Sequence, residues 1–174
     1  PCQSWSEAGA LRGIEDKRGQ LFYDFIRILK AKQPLFFLAE NVSGMLANRH
    51  SDALKGIIEL FEESGYLVSY KLLNVSDFGV PQDRKRVIFV GYRKDLGIKF
   101  VHPEPTTPLD DQKRTLKDAI DDLKDNALPG REKNYSNHGQ CKVLNHEYMI
   151  GGFSTMYMSR NRVRAWDNQS FTIQ

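Results

Sequence analysis

The chain has 174 residues, 40% hydrophobic and 27% charged, a globular balance that excludes a disordered tail or a fibrous repeat. Its longest purely apolar run, Leu35 to Ala39, is too short to cross a bilayer, and its two cysteines make neither a disulfide framework nor a zinc quartet. The net charge of +3 is unevenly placed: residues 1–125 carry 19 basic and 19 acidic side chains, whereas residues 126–174 carry six and three.

A basic segment beside a neutral body points to an anionic partner, and a free thiol fits a reducing cytoplasm. Residues 3–20 hold three glycines, small polar residues and no sustained period, which predicts a loop. A loop that long needs a functional reason in a compact domain, and a lid beside Cys2 supplies one. Apolar residues at 21, 22, 25, 26 and 29 then predict an amphipathic helix from Leu21 to Lys32, ended by Pro34. Leu35-Phe36-Phe37-Leu38 reads as a buried parallel strand leading into Glu40 and Asn41. Ser51 and Asp52 cap a second helix to about Ser64, with Leu54, Ile57, Ile58 and Phe61 on one face and Gly65 as its stop.

Tyr66 to Leu73 reads as a strand, Asn74 to Arg86 as a structured loop around Gly79-Val80-Pro81, and Val87 to Tyr92 as another buried strand. Strands alternating with amphipathic helices predict an α/β fold with a largely parallel sheet, the direction of its later strands being left open. Three prolines within residues 102–108 mark an extended linker, and Thr115 to Lys124 predicts a short amphipathic helix. Composition changes near residue 126, beyond which periodic runs are few and Asn, Gly and Arg are common, so the boundary is placed there. Ser170 to Gln174 has the pattern of a strand.

Three clusters stand out in this frame: Pro1-Cys2-Gln3, Glu40-Asn41-Val42 and Gln82-Asp83-Arg84-Lys85-Arg86. A thiolate is the strongest side-chain nucleophile for an electron-poor ring carbon. A carboxylate at the carboxyl end of a strand lies where open α/β sheets bind ligands. Arginines two residues apart on a strand share a side. Alone, Cys2 is more often a buried structural cysteine and Glu40 a surface carboxylate, whereas a solvated strand end is the minority reading of the arginines. Farther on, Arg160, Arg162 and Arg164 alternate along an extended segment, suited either to guanine edges or to phosphate, and Lys142 is a candidate phosphate contact. His138, Cys141 and His146 lack a fourth metal ligand, which argues against zinc. A cysteine hydrolase would need His50 or His102 against Cys2, and it leaves the paired arginines unexplained.

In this order and at these spacings the three clusters resemble the DNA (cytosine-5) methyltransferase family, and the resemblance runs the length of the chain. Asn145-His146-Glu147-Tyr148 and Met158 to Arg164 bring it nearest to bacterial restriction-modification methylases of GGCC sites. The resemblance implies a partial Rossmann-like, S-adenosylmethionine-dependent methyltransferase sheet over residues 1–125. The start of a small, irregular target-recognition domain then follows over 126–174. It implies that Cys2 adds to carbon 6 of a cytosine flipped out of duplex DNA. Glu40, carrying a proton, would meet N3 and the exocyclic amine, and Arg86 the O2. Arg84 would organise the nucleophile loop and a nearby phosphate, with Gln82 fixing the loop before it. Arg12, Lys17 and Arg18 become phosphate contacts of a closing loop, and Ser6 fills the vacated stack.

The implied methyl donor is S-adenosylmethionine. Only Pro1 and Leu21 carry over as its contacts, because the family's glycine-rich cofactor loop belongs before Pro1 and its Asn-Ala-Val segment after Gln174. On this reading the chain is the central piece of a larger enzyme, inactive alone, with a restriction endonuclease as a system partner rather than a bound one. The rival readings are a non-catalytic DNA-binding piece, such as one part of a split methylase, and a tRNA-directed relative.

Overall fold

The computed structural model describes Trp5 and residues 17–130, 146–148 and 164–172, with the backbone alone for 17–20. Helix α1 spans Lys17–Lys32, strand β1 Phe36–Val42, helix α2 Ser51–Glu63, strand β2 Tyr66–Asn74 and strand β3 Lys85–Arg93. A short helix α3, Leu116–Ile120, and two short strands, β4 at Leu128–Pro129 and β5 at Glu147–Tyr148, follow. No described helix is long and apolar enough to cross a membrane.

Helix α1 starts at Lys17, four residues before the expected Leu21, so Lys17 and Arg18 stand on its first turn rather than in a loop. A helix once nucleated gains a hydrogen bond for each added residue, and this extension includes Gly19 despite its cost of about 1 kcal/mol. Ile26 and Leu29 are buried, but Leu21 is 52% exposed and lies off the packed stripe. Gln33 closes the helix: its backbone adopts φ 44°, and its side-chain amide donates to the carbonyls of Leu29 at 3.1 Å and Ser64 at 3.2 Å. Helix α2 ends as expected, with Gly65 at φ 96°, a left-handed turn that residues with a Cβ resist. The expected caps Ser51 and Asp52 fall inside the helix, after His50, which makes no side-chain cap.

The three longer strands form one sheet in the order β1-β3-β2. Both outer strands run antiparallel to β3, the arrangement left open for the later strands, so the parallel pairing expected of the Leu35–Leu38 run is not found among the described residues. β1 and β2 therefore point the same way, joined through α2, with β3 inserted between them. The core lies between one sheet face and the two helices. Phe37 stacks on Phe61 with centroids 4.4 Å apart, and Phe25, Tyr66 and Phe89 close around them. Packing reaches only that face of β1: Phe37 is buried, whereas Phe36 and Leu38 stay 58% and 60% exposed. The apolar run thus alternates like a strand packed on one side and is not buried throughout, as had been expected. Strand β3, central in the sheet, does bury Val87, Phe89 and Val90.

The chain separates into two compact units, one of residues 1–74 and 84–106, the other of 75–83 and 107–174. This division does not follow the composition break near residue 126. Within the second unit Thr107 ties the two pieces together, donating its N–H to the Asp77 carbonyl at 2.9 Å and its hydroxyl to the Ser76 carbonyl at 2.9 Å. Lys113, 3.3 Å from Asp77 and 2.9 Å from Asp110, adds an ion-paired cross-link. The hydrogen bond to Asp110, and then that to Asp77, raises its pKa. The expected helix at Thr115–Lys124 is split. Thr115 caps α3 by accepting from the Asp118 N–H at 3.2 Å, and a tighter 3-10 stretch continues from Asp121 to Asn126.

Candidate active site

Antiparallel pairing decides which ends of the strands meet. The carboxyl end of β1 lies beside the start of β3, with Val42 opposite Arg86 and Glu40 opposite Ile88. Residues directly opposite share a sheet face, so Glu40 and Arg86 are diagonal neighbours on one face. Their side chains touch: Arg86 Nε donates to Glu40 Oε1 at 2.6 Å, with the guanidinium 19% and the carboxylate 43% exposed. Arg86 also donates from Nη1 to the Lys85 carbonyl at 2.9 Å, which orients the planar group. Its remaining N–H donors are available to an acceptor beside the carboxylate. Asn41, buried between them in sequence, turns its amide oxygen to the Val42 N–H at 2.9 Å.

Arg84 sits just before β3, so strand alternation does not place it on the side of Arg86. Its backbone N–H is held instead by the Asn74 side chain at 2.9 Å, a link from the end of β2 to the start of β3. Gln82 and Asp83 lie in the second unit, paired there to residues 170–172. The Asp83 N–H donates to the Ser170 carbonyl at 2.8 Å, the Ser170 N–H to the Pro81 carbonyl at 2.9 Å, and the Thr172 hydroxyl to the Asp83 carbonyl at 2.8 Å. Gln82 bridges to Ser170 in parallel, and Ser170 begins the segment expected as a strand.

Arg164, a candidate for DNA contact, has its guanidinium 3.2 Å from the Asp83 carboxylate and 3.9 Å above the Phe171 ring. Asp83 as its partner escaped sequence reasoning, because residues so far apart in the chain carry no local signal of pairing. His146, one of the rejected zinc candidates, has its Nε2 2.6 Å from the Leu123 carbonyl. Among the described residues no group of three or more potential metal ligands occurs.

Several expected site residues lie outside the described residues: Pro1, Cys2, Ser6, Arg12, Arg160 and Arg162, and also Cys141 and Lys142. Of the two expected cofactor contacts, Leu21 alone is described. It offers apolar surface and no group to hold a sulfonium, a ribose or a carboxylate.

The family model for C-5 cytosine-specific DNA methylases matches residues 1–174. The chain is 60% identical to the type II methyltransferase M.FnuDI of Fusobacterium nucleatum and 59% identical to M.NgoPII of Neisseria gonorrhoeae; each match covers all of this chain and 50% of the relative. M.MthTI of Methanothermobacter thermautotrophicus is 54% identical, with 100% and 51% covered. The chain thus spans about half the length of these curated relatives. Among solved structures, a prophage-encoded E. coli protein assigned as a DNA modification methyltransferase superposes with a TM-score of 0.57 at 30% identity, over 70% of this chain and 34% of that one. The α/β arrangement is accordingly part of a Rossmann-like methyltransferase sheet.

Proposed function

The chain belongs to the C-5 cytosine-specific DNA methylase family, and from that premise we propose that it carries the base-binding and nucleophilic groups of a restriction-modification DNA (cytosine-5) methyltransferase. The observation that carries the proposal is the Glu40–Arg86 pair. The pairing edge of cytosine presents an acceptor at O2, an acceptor at N3 and an amine donor side by side. A guanidinium touching a carboxyl group offers the complement in the same order: Arg86 donates to O2, a protonated Glu40 donates to N3, and its second oxygen accepts from the amine.

The chemistry follows from that edge. The Cys2 thiolate adds to carbon 6 of a cytosine turned out of the stack, forming a carbon–sulfur bond, and the ring electrons are drawn toward N3, where the Glu40 proton neutralises them. Carbon 5 becomes nucleophilic and accepts a methyl group. Loss of the carbon-5 proton to a base then expels the thiolate, N3 returns its proton to Glu40, and the aromatic ring is restored. S-adenosylmethionine, when bound, supplies the methyl group as an electrophile. Arg84 organises the nucleophile loop and a nearby phosphate, Gln82 fixes the loop that precedes Arg84, and Arg12, Lys17, Arg18 and Ser6 act on phosphate and the vacated stack. Residues 126–174 open the target-recognition domain, in which Arg160 and Arg162 read guanine, with GGCC as the site. Arg164, held by Asp83 and Phe171, braces that segment rather than reading a base.

Duplex DNA carrying 5-fluorocytosine tests the assignment, because fluorine cannot leave as a proton does and the covalent adduct persists. The intact protein that carries this chain should form the adduct, and Cys2→Ala should abolish it. An adduct that survives Cys2→Ala removes this residue from the mechanism, and no adduct at all favours a non-catalytic DNA-binding piece.

A further inference from the structure

We propose that Trp5 is the anchor that positions Cys2, and that Gly44 and His50 are the positioning residues that hold it; the proposal rests on the reading of Cys2 as the nucleophile. Trp5 lies three residues past Cys2 in a polar stretch, Gln3-Ser4-Trp5-Ser6-Glu7, yet its side chain is 2% exposed and belongs to the core cluster with Met45 and Ile57. Consecutive Cα atoms are about 3.8 Å apart, so Cys2 is tethered within roughly 11 Å of a residue locked into the core.

The lock has two parts. A Cβ at Gly44 would overlap the Trp5 carbonyl oxygen and come within 3.3 Å of its carbonyl carbon. Both are backbone atoms, which cannot rotate aside as a side chain can. Gly44 therefore sets where the main chain of Trp5 runs. His50 sets the ring, meeting the indole edge to face with centroids 5.0 Å apart and planes at 77°. It does so although its Nε2 is buried without a hydrogen-bond partner, a cost that an apolar residue of similar size would avoid.

Gly44 and His50 belong to a pair of 3-10 turns, Ser43–Leu46 and Asn48–His50, that follow directly after β1. The same short stretch thus bears Glu40 on the sheet and the contact surface for Trp5. Whatever moves this stretch moves the carboxyl group and the nucleophile's tether together. A covalent addition depends on that mutual placement, and a displacement of about 1 Å can cost on the order of 10²-fold in rate.

The test compares variants of the intact protein on a 5-fluorocytosine duplex, reading the single-turnover rate of adduct formation and the Kd for the same DNA separately. Gly44→Ala and Trp5→Ala should slow addition by about 10²-fold, with Kd changed by no more than about threefold. Trp5→Phe, which keeps a ring for His50, should recover most of the rate. An unchanged rate in Gly44→Ala, a Trp5→Phe as slow as Trp5→Ala, or a Kd that weakens in step with the rate would each overturn the anchor. If Gly44→Ala is unfolded at the assay temperature, His50→Gln is decisive: the rate should fall at constant Kd, and an unaltered rate overturns the proposal. Cys2→Ala separates the two levels. An adduct that persists in Cys2→Ala defeats the nucleophile assignment, whereas one abolished by Cys2→Ala and indifferent to Gly44→Ala defeats only the anchor.

Discussion

Glu40 and Arg86 come from strands that run in opposite directions, and their side chains meet at 2.6 Å on one face of the sheet. The pair is partly exposed, so it contributes only about 0.2–1 kcal/mol to stability. Its weight should fall on catalysis instead. Arg86→Ala removes a positioned donor and should lower single-turnover methylation by about 10²–10³-fold in the intact protein. The melting temperature should barely move. A variant that melts far earlier while the surviving folded fraction methylates normally would make the pair structural.

The proposed reading of guanine by Arg160 and Arg162 predicts a different signature. Arg160→Ala or Arg162→Ala should cost about 1–3 kcal/mol on the cognate site and much less on unrelated DNA. Lys142→Ala, as the loss of a phosphate contact, should weaken all sequences alike and reduce the salt slope by about one unit. Methylation mapping that finds modified sites without adjacent guanines would defeat the GGCC assignment.

Arg164 should behave unlike either group. Its contacts with Asp83 and Phe171 are internal to the second unit, so Arg164→Ala should leave the salt slope unchanged. A double-mutant cycle with Asp83→Ala should give a coupling of about 0.2–1 kcal/mol, typical of a partly exposed pair. Arg164→Lys should keep part of that coupling and lose the flat contact on the ring. A salt slope reduced by Arg164→Ala would return this residue to the phosphate contacts.

His50 predicts a pH dependence of stability. Burial, reinforced by the neighbouring Arg49 charge, lowers its pKa from the ordinary 6.5. The unfolded chain therefore takes up a proton near pH 6.5 that the folded chain accepts only at lower pH. Stability from this group is complete above the unfolded value and is lost as pH falls below it toward the folded one. Thermal melts between about pH 8 and pH 5 should show this decline, and His50→Phe should flatten it. Parallel declines in both proteins would assign the titration elsewhere.

How much of this was legible in the sequence depends on the range of the interaction. The amphipathic stripe ending at Leu29, the stop at Gly65, the helix beginning near Thr115 and the strand from Val87 to Tyr92 follow from residues within a few positions of one another. Side-chain period and backbone conformation are local properties. The candidate chemical groups were legible for the same reason, since Glu40 closes an apolar strand and Arg86 opens another. Strand direction was not, because an apolar run fits either kind of ladder and the choice lies with a partner far along the chain. That choice brings Glu40 to Arg86; parallel neighbours would have put the end of one strand at the far side of the sheet from the start of the other. Likewise no local pattern links Arg164 to Asp83, or Trp5 to Gly44 and His50. Those contacts exist only where chain segments distant in sequence are packed together, and packing volume, not spacing, selects them.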